Sequence, residues 1–275
     1  MRTVGDEERL TVAGSGTQPS RAARRGEVVL RDPGPGSAAV LALLHHYAAV
    51  GFRGAPRPVG SGWSADGREA LQFLPGSSPH PGAWPDDALP ALGDLVRRAH
   101  EAGAGFQLPA GAQWRPWWGR PARHGRVVIG HCDVGPWNVV AGDDGVPYAL
   151  LDWEFAGPVD PVLELAHAAW LNAQLVDDDI AEAHGLPSAA VRAGQVRLLL
   201  DGYGTPAAER AGFVDLLLEV AVRSARAEAV EQAVTPESTT AVTATGYPVL
   251  WAITWRARSA AWMVQHRGLL ERALG

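Results

Sequence analysis

Between residues 127 and 152 two apolar runs flank a turn that no helix could contain. Val139-Val140-Ala141 and Tyr148-Ala149-Leu150-Leu151 enclose Gly142-Asp143-Asp144-Gly145. Gly and Asp supply the backbone angles and local hydrogen bonds of hairpin turns, so the segment reads as a β-hairpin. Closing it brings together the residues just outside the strands. Asn138 and Asp152 stand symmetric about Gly145, and Asp133 lies five residues upstream, in a loop with Gly135 and Pro136. Two carboxylates and an amide oxygen converging on one point are hard donors, which suit Mg²⁺ held jointly with substrate phosphates. An Asp outside the metal shell would accept a proton from a hydroxyl nucleophile.

The rest of the chain sorts around this island. Strands are expected at Leu10-Thr11-Val12, Glu27 to Arg31, Pro58-Val59-Gly60 and Glu69 to Leu74. Asp32-Pro33-Gly34-Pro35-Gly36 ends the second of these, and Ser37 is expected to cap an Ala/Leu-rich helix to about Val50. After residue 76 the patterning turns helical: 86–102, 160–174 with Asp160-Pro161 as its start signal, 186–204, 206–234 and 246–274. The expected fold class is therefore α+β and bilobal. A small β-rich lobe (1–75) joins a larger, mainly helical lobe (76–275) through Gln72 to Ser78.

Composition narrows the chemistry. All 24 basic side chains are arginine; there is no lysine. Schiff-base and amine-nucleophile mechanisms on a side chain are excluded, as is a complete Walker A loop, which needs Gly-Lys-Ser/Thr. Arginine does not substitute freely for lysine, because it is a planar fork that keeps its proton. The net charge of −6 argues against a general nucleic-acid binder. The early apolar run 38–50 is too short to span a bilayer, and the first residues lack the apolar core of a secretion signal, so no membrane partner is expected. One cysteine, Cys132, fits a reducing cytoplasm. Residues 127–190 hold eleven acids and no arginine. That segment made a cationic or polyhydroxyl acceptor the expected partner.

His131-Cys132-Asp133-Val134-Gly135-Pro136-Trp137-Asn138 resembles the H-x-D-x(4)-N catalytic loop of the aminoglycoside phosphotransferase family, which has a protein-kinase-like fold. Leu151-Asp152-Trp153-Glu154 resembles that family's metal motif, and Glu164-Leu165-Ala166 its D-L-A, with Glu for Asp. Gly51-Phe52, Ala55-Pro56-Arg57, Gly67-Arg68-Glu69 and Phe73-Leu74-Pro75-Gly76 read like the small-lobe run of actinobacterial members. The resemblance implies a cytoplasmic kinase that moves the γ-phosphate of ATP or GTP, with Mg²⁺, to a hydroxyl of a small molecule. It implies Asp133 as the catalytic residue, Asn138 and Asp152 as metal ligands, and His131 and Glu154 in support. Gly14, Ser15 and Gly16 would cover the phosphates, and Gln72, Phe73 and Leu74 would meet the purine. The alternative is a kinase-shaped protein that binds nucleotide or a small ligand with little or no transfer. Oligomeric state is left open.

The chain departs from the family where the small-lobe lysine would stand. Arg31 occupies that strand end, and guanidinium pairs well with phosphate. The following helix, 37–50, contains no Asp or Glu, so the acid that usually orients the phosphate-binding base is missing from it. His131 and Cys132 are read as packing residues of the loop. Trp114, Trp117, Trp118 and Trp153 are read first as core, with substrate contact as the second use.

Overall fold

Val28-Val29-Leu30 sets three β-favouring side chains in a row, and they form the middle of the first sheet. The computed structural model describes residues 7–10, 22–120, 126–243 and 246–275. Its first sheet holds β1 (Glu8–Arg9), β2 (Ala22–Arg25), β3 (Val28–Arg31), β4 (Pro58–Trp63) and β5 (Glu69–Gln72). They run antiparallel in the order β1-β2-β3-β5-β4. The β3–β5 register sets Arg31 opposite Glu69. Helix α1 (Ser37–Ala49) buries Val40, Leu43, Leu44 and Tyr47. Ser37 was expected as its cap but is its first residue; the hydroxyl instead accepts the Gly34 N–H at 2.7 Å and closes the turn before the helix.

Two small antiparallel pairs carry the loop segment. β6 (Val128–Gly130) pairs with β9 (Gly157–Val159), and β7 (Val139–Ala141) with β8 (Pro147–Leu150). The connection from β5 is tied to the hairpin where Ser77 and Ala141 exchange backbone hydrogen bonds of 3.1 and 2.9 Å. Gly76 is required there. Its φ is 140°, and a Cβ would lie 2.3 Å from the Ala141 oxygen.

The helical part comprises α2 (Ala88–Ala102), α3 (Pro161–Asn172), α4 (Asp178–Ala183), α5 (Ala189–Tyr203), α6 (Phe213–Glu231), α7 (Val249–Gln265) and α8 (Arg267–Leu274). α2 and α5 cross backbone to backbone. A Cβ at Gly93 would sit 2.1 Å from the Leu199 oxygen, and one at Gly202 would sit 2.1 Å from the Pro90 oxygen. Asp160 caps α3 as its sequence predicts, accepting the Val162 N–H at 2.8 Å, with Pro161 in the first turn. The expected helix 246–274 is two helices, broken at His266, whose ring stacks on Trp262 at 4.1 Å. One apolar core runs from Tyr47 and Phe52 through Leu92 and Leu95 to Trp153, Trp170 and Leu199. Among the described residues no helix is long and apolar enough to cross a membrane.

Candidate functional site

The catalytic-loop motif sits between β6 and β7, and its shape comes from backbone and buried polar groups rather than from regular structure. Cys132 has a φ of 68°, a region that side chains favour little, and it is fully buried. Glu164, on α3, holds it there. The buried Glu164 carboxylate accepts the Cys132 N–H and pairs with His100 Nε2. Burial works to raise the Glu164 pKa, but His100 and the Cys132 N–H bring it below the usual carboxylate value. Burial also pushes the Cys132 thiol well up, so it is inert filler. Asn172, further along α3, donates to the Val134 oxygen at 2.7 Å and steadies the loop just beyond Asp133.

Within the loop, His131 accepts the Asp133 N–H at its Nδ1 (3.2 Å) and bonds the Leu151 oxygen through Nε2 (2.6 Å). Burial lowers its pKa, so the ring is neutral and one tautomer satisfies both contacts. It stands edge-on to Trp153 at 4.6 Å.

Asn138 ends a short 3-10 turn and donates its amide N–H to Asp133 Oδ2 at 2.8 Å and to the Asp133 carbonyl at 2.9 Å. This commits the amide nitrogen to Asp133 and leaves the amide oxygen as the donor atom for a ligand. The hairpin register is one residue from the expected symmetry. Val139 pairs with Leu150, so the Leu151 N–H meets the Asn138 oxygen at 2.8 Å, and Asp152 follows one step beyond. The register changes once within the hairpin, between Ala141 opposite Pro147 near the turn and Val140 opposite Ala149. Asp152 has a φ of 55°, which Asp tolerates better than most residues. Its left-handed turn lifts the carboxylate out of the strand.

Burial, and then the charge of Asp152, push the Asp133 carboxyl up to about 7; the Trp137 indole and Arg256 partly offset this. A carboxyl poised there can take a proton near neutral pH. Asn138 and Asp152 offer oxygen donors only, adjacent through the hairpin end, and fit a hard cation whose other ligands are water and phosphate. Among the described residues no group of three or more His, Cys, Asp or Glu could hold a metal by itself.

Arg31 reaches this point from β3. It pairs with Asp152, with Glu154 at 3.4 Å and with Glu69 at 3.4 Å. The sequence found no acid for it on α1; the acid is Glu69, buried, on the neighbouring strand. Burial opposes the Arg31 charge, but Asp152, Glu69 and Glu154 more than compensate and raise its pKa. Arg115, which sequence reasoning did not single out, pairs with Glu154 at 2.7 Å and lies over the Phe155 ring at 4.2 Å. Arg31, Asp32, Gly34, Pro35, Arg115 and Glu154 line one open cleft. Burial and Asp152 raise the Glu154 pKa, against Arg115 and Arg31.

Gln72 ends β5, where its N–H bonds the Arg57 oxygen at 2.8 Å; Phe73 carries Arg24 over its ring at 3.6 Å, and Leu74 is half-buried. Gly14, Ser15 and Gly16 lie outside the described residues. The acids of the 127–190 segment are mostly spent on internal partners. Asp177 and Asp179 pair with Arg258 (2.6 and 2.5 Å), and Asp178 takes the Trp262 indole N–H at 2.8 Å.

A small antiparallel sheet, a mostly helical remainder and this loop-and-hairpin site define a protein-kinase-like fold of the small-molecule phosphotransferase kind. A family model described as the phosphotransferase enzyme family matches residues 103–211, which include the loop and the hairpin. The trifolitoxin immunity protein of Rhizobium leguminosarum bv. trifolii is 52% identical over 271 residues, covering 98% of this chain and 100% of that protein. The chain belongs to the phosphotransferase enzyme family. Its fold is similar to a microcompartment-associated aminopropanol kinase, with a TM-score of 0.62 at 14% identity, covering 100% of this chain and 96% of that one. It is also similar to an amicoumacin kinase in complex with AMP-PNP, Ca²⁺ and Ami, with a TM-score of 0.56 at 14% identity, covering 97% and 88%.

Proposed function

We propose that this protein transfers the γ-phosphate of ATP or GTP, with Mg²⁺, to a hydroxyl of a small molecule, and that the modified molecule is a toxin. The observation that carries the reading is the meeting of Asp133, Asn138 and Asp152 at one end of the hairpin. The name of the immunity relative supports a toxin as acceptor, with phosphorylation as the means of protection.

Asp133 takes the proton of the acceptor hydroxyl as its oxygen forms a bond to the γ-phosphorus. The bond from that phosphorus to the bridging oxygen breaks, and the nucleoside diphosphate leaves. Asn138 and Asp152 would hold Mg²⁺, which when bound neutralises charge on the phosphate oxygens. Asn138 also fixes the Asp133 carboxylate through its N–H, and His131 fixes the Asp133 backbone. Arg31 turns from Asp152 to the phosphates, with Glu69 as the acid that stays beside it. Arg115 keeps Glu154 neutralised and so weakens the hold of that acid on Arg31. Gln72 to Leu74 meet the purine.

The test is a thermal shift with Mg²⁺-ATP and Mg²⁺-GTP, run beside phosphate transfer to hydroxyl acceptors that include trifolitoxin. A nucleotide shift with transfer to at least one acceptor supports the reading. A shift without transfer to any of them favours a binding protein, the reading that the closed Arg31–Asp152 pair also suits.

A further inference from the structure

Beneath the catalytic loop, three helices meet on one buried carboxylate. Glu164 of α3 and His100 of α2 have side chains only 1% exposed, and they pair through His100 Nε2. His100 Nδ1 meets the Tyr203 hydroxyl of α5 at 2.9 Å, so both ring nitrogens are engaged. Burial pushes the Tyr203 hydroxyl up to about 12, so it keeps its proton. Glycines make this convergence possible. α2 and α5 cross at Gly93 and Gly202, and a Cβ at Gly93 would also lie 2.6 Å from the Tyr203 nitrogen. A third glycine leaves the seat for the carboxylate: a Cβ at Gly130, in β6, would lie 2.1 Å from Glu164 Oε2.

Stability does not account for this chain of groups. Packed apolar side chains of similar volume often hold a core as well as a buried ion pair does. What they cannot do is offer a charged acceptor to a backbone N–H, and Glu164 does so with its other oxygen, which takes the Cys132 N–H. That bond falls on a strained residue. Cys132 has a φ of 68°, and a side chain other than glycine persists in that region only where its surroundings fix it. Asp133 follows directly. Its N–H goes to His131 and its carboxylate to Asn138, so the Cys132 N–H is the contact that fixes the loop just before the base. Without the His100 ring, the buried carboxylate would lose a partner and take up a proton instead. The Cys132 N–H would then face a weaker, uncharged acceptor.

We infer that His100 is a positioning residue for phosphate transfer: it fixes the Glu164 carboxylate, which holds Cys132 in the turn that sets Asp133 against the acceptor hydroxyl. Tyr203 sets the His100 ring from behind. The inference rests on the transfer reading for its purpose, but not for its first test.

The chain has one cysteine, so ¹⁵N-cysteine labelling of the full chain gives a single amide signal, that of Cys132. In the protein without nucleotide, its bond to a carboxylate draws this signal downfield. His100→Leu should move it upfield and speed its exchange with water by more than about tenfold. His100→Gln keeps an N–H for Glu164 and should restore most of the shift. Tyr203→Phe frees one ring nitrogen and should fall between wild type and His100→Leu. Leu270→Ala opens a cavity in α8, which packs on α5, α6 and α7, and should lower stability while leaving the signal in place. The second arm is phosphate transfer from Mg²⁺-ATP, with trifolitoxin or water as acceptor. There His100→Leu should lower kcat by about 10–10² and keep the nucleotide KM within about twofold, as a displaced base would. A Cys132 signal indifferent to His100→Leu, an equal shift in Leu270→Ala, no rescue by His100→Gln, or an unchanged kcat would each overturn the inference. A wild type that transfers phosphate to no acceptor would count against the transfer reading alone, and the amide signal would still decide whether His100 holds the loop.

Discussion

Two regions of the molecule are held together by different means. Around Arg31, charges meet beside an open cleft: Arg31 pairs with Asp152, Glu154 and Glu69, and Arg115 shares Glu154 with it. Around Trp170, rings fill the space, and among the described residues His167 Nδ1 and Trp170 Nε1 are buried without a hydrogen bond. Ion pairs beside solvent exchange partners at small net cost, because each lost contact is replaced by water or by another charge. Packed rings do not; moving one opens a void or brings in a guest of like shape. The charged cleft can thus re-pair, whereas the ring cluster holds one packing.

Substitution at Asp133 has the largest expected effect. Asp133→Ala should lower single-turnover phosphate transfer by about 10²–10⁴, the usual worth of a positioned base, while leaving nucleotide affinity unchanged in calorimetry. Near-full turnover in that variant would remove Asp133 from the mechanism. Asp152→Ala acts through the metal. It should weaken Mg²⁺-dependent nucleotide binding by more than about tenfold and leave the much weaker metal-free binding nearly as it was.

The third prediction concerns pH and uses the protein without metal. Asp133 is held at about 7, against roughly 3.9 for a carboxyl in an unfolded chain. Between those values the native state binds the extra proton, so stability is greatest below the lower value and falls as pH rises through the upper one. Asp133→Asn keeps an acceptor oxygen for the Asn138 N–H and removes the titration. The difference in melting temperature between pH 5 and pH 8 should shrink by a few °C in the variant. An unchanged difference would mean that Asp133 is not the group being titrated. The smallest effect is expected for Arg115→Ala. Its pair with Glu154 is partly exposed, worth about 1 kcal/mol at most, so nucleotide affinity should fall by no more than about fivefold. A larger loss would mean that Arg115 itself touches the phosphates.

The same contrast explains what could be read from the sequence. The catalytic loop and the hairpin end were legible because their residues are contiguous and the turn chemistry is local, as was the Asp160-Pro161 start of α3. The exact hairpin register was not, since the irregularity at Ala141 depends on the bridge to Ser77. β2 escaped notice because Ala22-Ala23-Arg24-Arg25 has no alternation, and β9 because Gly157-Pro158-Val159 looks like a loop until β6 is beside it. Glu69 as the companion of Arg31 follows only from the β3–β5 register. The ring cluster around Trp170 is assembled from residues as far apart as Trp117 and Trp255, so no window of sequence contains it. Glu164 was matched to D-L-A as a motif, yet its work, holding Cys132 and His100 from beneath the loop, is visible only in three dimensions.

The lysine-free cleft around Arg31 also sets which reagents can find this protein. Nucleotide probes that carry a reactive acyl phosphate label kinases by acylating an amine beside the phosphates. A guanidinium that keeps its proton does not attack an acyl group. Under the proposed function, such a probe would leave this cleft without a covalent mark on a side-chain amine, and a survey built on amine capture would pass over the protein.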